Sequence, residues 1–251
     1  MKNNHRPNYG LDAPRAVRNL FIVAALGIIS LITRLLGVWS RHDLIAVIAR
    51  PLIGAGLSCG AMGLWMVYDS KIGKLRERED YLDKIVWRGD ERVLDVGCGL
   101  GLFLIGAAKR LKTGRAVGID LWQAEDLSGN TAAGTLNNAT IEGVADKVEV
   151  HTGDARKLPF DDASFNVVLS SMALHNIYNA DERQTAVREI ARVLKSGGRV
   201  LILDVRHTNQ YAATLRDADL DARCVQGIGS YLLTVISLGS IRWGYVIGSK
   251  S

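Results

Sequence analysis

The chain has 251 residues, a formal net charge of +5 and a mean hydropathy of +0.09, a length that allows one folded domain plus an appendage and a hydropathy high for a soluble α/β protein. No arginine- or lysine-dense tract with interleaved aromatics marks a nucleic-acid surface, and no C-x-x-C or H-E-x-x-H pattern marks a zinc site. Cys59, Cys98 and Cys224 are odd in number and far apart, which argues against a disulfide framework and for a reducing compartment.

Residues 1–19 are polar and basic, with Lys2, Arg6, Arg15 and Arg18, and Pro7 and Pro14 discourage a long helix there. Leu20 to Thr33 carries no charge, and the apolar run continues past Arg34 from Leu35 to Trp39. About 20 residues cross a bilayer. Arg34 lies where its stem can snorkel to the interface, a depth that also suits Trp39. A second run extends from Leu44 to Tyr68, interrupted by Arg50-Pro51. Proline is tolerated in a first helical turn, so Pro51 is one point at which this span can begin. Gly54, Gly56, Gly60 and Gly63 give it a small-residue face able to serve a hairpin or a dimer.

The expectation is a helical hairpin, 20–39 and 44–68, within a membrane anchor spanning 20–70. A signal peptide is disfavoured because no A-x-A-like site follows the first run. A helical lid on a soluble enzyme would need a large apolar partner surface. A re-entrant or interfacial second helix would accommodate Arg50. Lys71, Lys74, Arg76 and Arg78 follow the second run, and the N-terminal tail is basic as well, so the positive-inside rule puts both termini in the cytosol at the cytoplasmic membrane.

Residues 71–90 read as a linker helix, with apolar spacing at Ile72, Leu75, Tyr81, Leu82 and Ile85 among charges. The folded domain, 91–251, opens on Val93-Leu94-Asp95-Val96-Gly97-Cys98-Gly99-Leu100-Gly101. A strand-type run ends in an acid and alternating glycines, and a helical pattern follows from Leu102. That is strand, tight turn, helix: the start of a nucleotide-binding βαβ unit. Gly97, Gly99 and Gly101 give G-x-G-x-G, and Leu102 stands where the third glycine of a dinucleotide fingerprint would fall. The spacing therefore disfavours a nicotinamide cofactor.

The nonapeptide resembles the first motif, D/E-x-G-x-G-x-G, of the class I S-adenosylmethionine (SAM)-dependent methyltransferases. The likeness covers about residues 75–251. It implies an α/β, Rossmann-like fold whose seven-stranded, mostly parallel sheet has helices on both faces and an antiparallel last strand. Residues 1–70, with the two hydrophobic transmembrane helices, lie outside it.

The rest of the chain alternates as such a sheet requires. Strands are expected at Arg115–Asp120, Lys147–Thr152, Phe165–Ser171 and Arg199–Val205, helices at 102–111, 131–142 and 181–194, and a closing hairpin from Ala222–Gln226 and Arg242–Gly248. Ligands of these sheets lie beyond the carboxyl ends of the strands, where Asp95, Asp120 and Asp154 fall. By resemblance, Asp120 accepts from the SAM ribose, Asp154 from the adenine amino group, and the Ala155 N–H donates to an adenine nitrogen. Asp95 reaches the methionine end, and Gly97, Gly99 and Gly101 line the cofactor. Trp122 is a candidate to stack on adenine and Tyr81 to cover SAM, each with packing as the plainer alternative. Ser-Ser-Met-Ala-Leu-His-Asn-Ile, 170–177, resembles the ubiquinone/menaquinone-type and related small-molecule methyltransferases. There Ser170 offers a backbone contact, and His175 is either a general base or a residue that positions its loop. Leu194-Lys195-Ser196-Gly197-Gly198 resembles that family's L-K-P-G-G turn, with serine in place of proline.

No fixed motif marks the methyl acceptor. Gln123–Asn130 and the apolar stretch Ile228–Leu238 are the candidate pocket segments. The reading is a membrane-anchored SAM-dependent methyltransferase acting on a hydrophobic small molecule or lipid, with the bilayer as a partner. The rivals are a protein methyltransferase, which no N-P-P-Y-like tetrapeptide supports, and a non-catalytic SAM-binding scaffold.

Overall fold

The computed structural model describes residues 6–40, 43–123, 127–226 and 243–251. The chain divides into two compact units, one built from Tyr9–Glu77 with Gln123–Gly129 and the other holding Arg78–Trp122 and Asn130–Ser251.

The first unit is a helix pair, α1 (Pro14–Leu35) and α2 (Leu44–Tyr68). Proline occupies the first turn of α1, so the helix starts in the polar tail, ahead of the apolar run. Pro51 lies inside α2, not at its start, because the apolar helical pattern already begins at Leu44. The helices meet at glycine: a Cβ on Gly56 would come within 2.6 Å of the Gly27 Cα, and one on Gly63 within 3.1 Å of the Phe21 ring. The Ser30 hydroxyl donates to the Ala49 carbonyl at 2.8 Å. At the connecting end Trp39 is buried against Ala46, Ala49 and Ile53, and the Arg34 guanidinium lies 5.5 Å from its ring centre. The outer faces are apolar and open, as at Ile29, Leu44, Val47 and Leu64.

Past α2 the helix continues through a π turn, Asp69–Gly73, into α3 (Lys74–Leu82). The junction between α2 and the linker helix is a π turn, with no break between them. Buried Lys74 donates to the carbonyls of Tyr9 and Gly10 and pairs with Asp12, and Leu11 and Ser128 exchange hydrogen bonds (2.7 and 3.2 Å) beside an Asp12–Leu127 bridge.

In the second unit Leu82 and Arg78 of α3 close over Gly106, where a Cβ would lie 2.6–2.7 Å from their side chains. The strands are β1 (Arg92–Val96), β2 (Arg115–Asp120), β3 (Val148–Thr152), β4 (Phe165–Ser171), β5 (Leu194–Asp204), β6 (Leu220–Val225) and β7 (Gly244–Lys250). Their order is β3-β2-β1-β4-β5-β7-β6, parallel except that β7 runs antiparallel to β5 and β6. This is the Rossmann-like α/β fold with a seven-stranded sheet. The middles of the central strands are apolar because both faces are covered: Val93, Leu94, Val168 and Leu169 have no exposed surface.

The helices are α4 (Leu102–Arg110), α5 (Ala132–Ile141), α6 (Ala180–Val193) and α7 (Thr208–Arg216). Asn179 caps α6 by accepting from the Asp181 and Glu182 N–H groups. The Lys195–Gly198 turn is carried inside β5 as an irregularity, the pairing jumping from Phe165–Leu194 to Val167–Arg199. Winding reverses between β1 and β4, which sets the crevice at the carboxyl ends of these strands.

Candidate active site

Asp95 sits one residue before the end of β1 and is almost fully buried. Its Oδ1 has no hydrogen-bond partner among the described residues. Burial first, and the nearby Asp120 charge second, push its carboxyl up to about 7, while a hydrogen bond from the Leu104 backbone pulls the other way. A buried acid left with an open oxygen is expensive unless a ligand group meets it.

The glycine turn follows. Gly97 has φ +73°, and a Cβ there would overlap the Cβ of Ala173 in the loop after β4. Gly101 caps α4 in the left-handed region at φ +86°. The Gly97 and Cys98 N–H groups donate to the Ile119 carbonyl, holding the turn over the end of β2. The Gly99 carbonyl accepts from Thr135 Oγ1 at 2.6 Å.

Asp120 closes β2 and is aimed by its neighbours. Oδ2 accepts the Gly99 N–H at 2.9 Å, and Oδ1 accepts the Trp122 N–H at 2.6 Å and Asn130 Nδ2 at 3.2 Å. Trp122 takes a left-handed turn at φ +60° and donates from Nε1 to Thr152 Oγ1 at 2.8 Å. The indole is thereby tied across the ends of β2 and β3, ahead of Gly153-Asp154-Ala155. Asp154 is gripped by Arg156, whose Nε lies 3.0 and 2.9 Å from its two oxygens and whose Nη2 and backbone N–H each donate one more bond. This pairing holds the Asp154 carboxyl below its ordinary range, and Arg156 also pairs with Glu182. Ala155 packs against the main core.

Ser170, near the end of β4, is buried, and its hydroxyl donates to the Val96 carbonyl at 2.9 Å. It ties β4 to β1. Tyr81 receives a hydrogen bond from Trp243 Nε1 at 3.2 Å and meets Tyr245 edge-on at 5.4 Å, so its ring packs on β7. Of the two candidate acceptor segments, Ile228–Leu238 lies outside the described residues, as do positions 124–126 of the other.

His175 sits in a short 3-10 turn, Leu174–Asn176. Its N–H donates to Asp204 Oδ2 at 3.0 Å, and its Nδ1 lies 2.6 Å from Asp204 Oδ1. Asp204 is a fourth acid at a strand end, which sequence reasoning passed over. The signal was available, since Asp204 stands one position before the end of the expected fifth strand. The described residues contain no group of three or more His, Cys, Asp or Glu side chains able to hold a metal ion.

Residues 94–202 match the family model described as "Methyltransferase domain". The chain is 35% identical over 134 residues to the chloroplastic 2-phytyl-1,4-beta-naphthoquinone methyltransferase of Arabidopsis thaliana, covering 52% of this chain and 49% of that protein. It is 32% identical over 127 residues to the ubiquinone/menaquinone biosynthesis C-methyltransferase UbiE of Roseobacter denitrificans, covering 51% and 47%. The chain thus spans about half the length of the curated relatives it matches. Among solved structures, the geranyl diphosphate C-methyltransferase of Streptomyces coelicolor shares the fold at a TM-score of 0.56 and 17% identity, over 70% of this chain and 77% of that one. Residues 94–202 are thus similar to the methyltransferase domains, and the sheet unit shares its Rossmann-like α/β fold with the solved structure.

Proposed function

We propose that the chain is a membrane-anchored SAM-dependent methyltransferase whose acceptor is a hydrophobic small molecule of the quinone or lipid type. The observation that carries the enzyme reading is the crevice at β1 and β2, where a buried carboxylate oxygen of Asp95 lacks a partner beside a glycine turn that leaves no room for a side chain. These residues fit SAM. Asp95 offers a negative oxygen to the ammonium of the methionine end, and Gly97 lets the backbone come close. Asp120 presents a carboxylate fixed by three N–H donors, suited to ribose hydroxyls. Asp154 meets the adenine amino group only by sharing or exchanging its bonds to Arg156.

Bound SAM supplies a methyl group on a positively charged sulfur that departs as a neutral thioether. Little activation is left for the protein to provide. Its work is to orient the acceptor, exclude water and accept any proton the acceptor must lose.

The anchor reading rests on α1 and on the continuous helix Leu44–Leu82, both long and apolar enough to cross a membrane, with large apolar side chains exposed along them. The basic residues before the first and after the second favour a hairpin with both termini cytosolic. The relatives named for naphthoquinone and for ubiquinone and menaquinone biosynthesis favour a quinone-type acceptor.

Full-length protein in mild detergent, methyl-labelled SAM and a host-membrane lipid extract test this directly. Label is expected in the organic phase, and Asp120→Ala is expected to abolish it. SAM binding with no label in that phase would sink the hydrophobic-acceptor reading.

A further inference from the structure

Helix α5 braces the glycine turn with two buried polar side chains. Thr135 and Asn138 lie three residues apart on one helix face and are 0% and 1% exposed. Thr135 Oγ1 donates to the Gly99 carbonyl at 2.6 Å, and Asn138 Nδ2 donates to the Leu100 carbonyl at 3.0 Å. The two peptide planes that flank Leu100 are thereby fixed. The Gly99 N–H is held in turn by Asp120 Oδ2 at 2.9 Å.

Asn138 makes a second set of bonds. Its Oδ1 accepts the Asn8 N–H at 2.9 Å, and its Nδ2 donates to the Asn8 carbonyl at 2.8 Å. A side-chain amide here pairs with a main chain as a neighbouring strand would. The partners fix its orientation, since the N–H needs the amide oxygen and the two carbonyls need the amide nitrogen. Both Nδ2 hydrogens are used, one on Asn8 and one on Leu100. Asn8, Leu100 and Asn138 all belong to the sheet unit.

The sequence explains why the pairing starts at this residue. Pro7 has no N–H and cannot donate to a partner, so Asn8 offers the first main-chain donor after it. Residue 8 is not helical, so its N–H and carbonyl are met from outside the local chain. A buried amide is costly to leave half-bonded. Displacing Asn8 strips two of three bonds from a side chain packed under the turn.

We propose that Asn138 is a positioning residue for the cofactor, and that it acts by fastening the N-terminal segment at Asn8 to the glycine turn at Leu100. This rests on the SAM reading of that turn above. Cofactor retention then depends on a residue that precedes the helix pair. The coupling runs both ways: a docked Asn8 favours the turn that binds cofactor, and bound cofactor favours the docked segment. The polar N-terminal stretch is therefore more than a tail; at Asn8 it is a working part of the sheet unit.

The test uses full-length protein in detergent micelles with S-adenosylhomocysteine as the probe, so no acceptor need be known. Asn8→Pro removes the N–H and leaves α5 and the turn as they are; Asn138→Ala removes the amide. Each should weaken binding at least about tenfold in calorimetry, and the double variant should lose little more than either alone. Asn138→Gln, which keeps the amide, should recover part of the loss. In hydrogen exchange the probe should slow the amides of residues 8–13 at least about threefold in the wild type and in neither single variant. Asn138 is buried, so Asn8→Pro carries the test should Asn138→Ala fail to fold. Wild-type affinity in Asn8→Pro, losses that multiply in the double variant, or exchange at residues 8–13 indifferent to bound probe overturns the inference and leaves the SAM reading standing. Wild-type protein that does not bind the probe overturns both.

Discussion

The helix pair and the sheet unit use glycine and apolar residues to opposite ends. In the sheet unit Val93, Leu94 and Leu169 point inward with no exposed surface, and Gly97, Gly99 and Gly101 sit at a turn in the left-handed region. In the helix pair Leu44 is 85% exposed and Val47 70%, while Gly27 and Gly56 are the inward residues. Water drives large apolar groups to the middle of the sheet unit. In a bilayer the tails are as apolar as leucine, so close packing falls to the smallest residues. On the anchor reading proposed above, one composition read against two solvents gives two interiors.

The sharpest way to break this contrast is to add side chains at the two kinds of glycine. Gly97→Val forces a β-branched residue to a positive φ and into Ala173, so loss of S-adenosylhomocysteine binding by 100-fold or more is expected in calorimetry; near-native affinity would remove the turn from the cofactor site. Gly56→Leu should destabilise the helix pair by about 2 kcal/mol or more, seen as a lower unfolding midpoint in detergent, and leave that affinity within about twofold. If both properties fell together, the two units would not be energetically separate.

A smaller effect concerns pH. The folded pKa of Asp95 is raised, so the folded state holds this proton where the unfolded state has lost it, and ionising Asp95 costs stability from about pH 4 up to 7. A cationic ammonium at Oδ1 favours the ionised form. Affinity for S-adenosylhomocysteine should therefore rise about tenfold between about pH 6 and 8 and be flat in Asp95→Asn. A flat wild-type curve would show that Asp95 does not face the ammonium. Smallest is the cap: Asn179→Ala should cost about 1 kcal/mol, read as a drop of a few degrees in Tm of the sheet unit alone.

Much of the sheet unit was legible because its signals are local. The run from Val93 to Gly101 announces strand, turn and helix within nine positions, and the alternation after it places β2 to β5 within a few residues. α7 escaped notice because Thr208, Asn209 and Gln210 open it with polar side chains, and its buried face amounts to little beyond Tyr211, Ala212 and Leu215. The Asp204–His175 contact links residues 29 apart, and no spacing rule foretells which strand end will meet which loop. The Asp154–Arg156 pair is only two positions apart, yet Arg156 gave no sign that it would occupy the carboxylate. Glycines on α2 left hairpin and dimer equally open. Gly27 across from Gly56 commits Gly56 to the hairpin, while nothing lies within 4 Å of a Cβ built at Gly54.

The discontinuity of the helix-pair unit bears on how the chain is made. Leu11 and Asp12 leave the ribosome early, but Leu127 and Ser128, with which they pair, follow more than a hundred residues later. On the proposed anchor reading the helices can enter a bilayer while this pairing still waits for β1, α4 and β2 to be synthesised. Once made, it closes a loop through most of the chain's first half, and each such closure carries an entropic cost that grows only slowly with length. Removing the N-terminal segment would take away more than an address label: it would strip Leu127 and Ser128, in the connection that follows Asp120, of their partners Asp12 and Leu11.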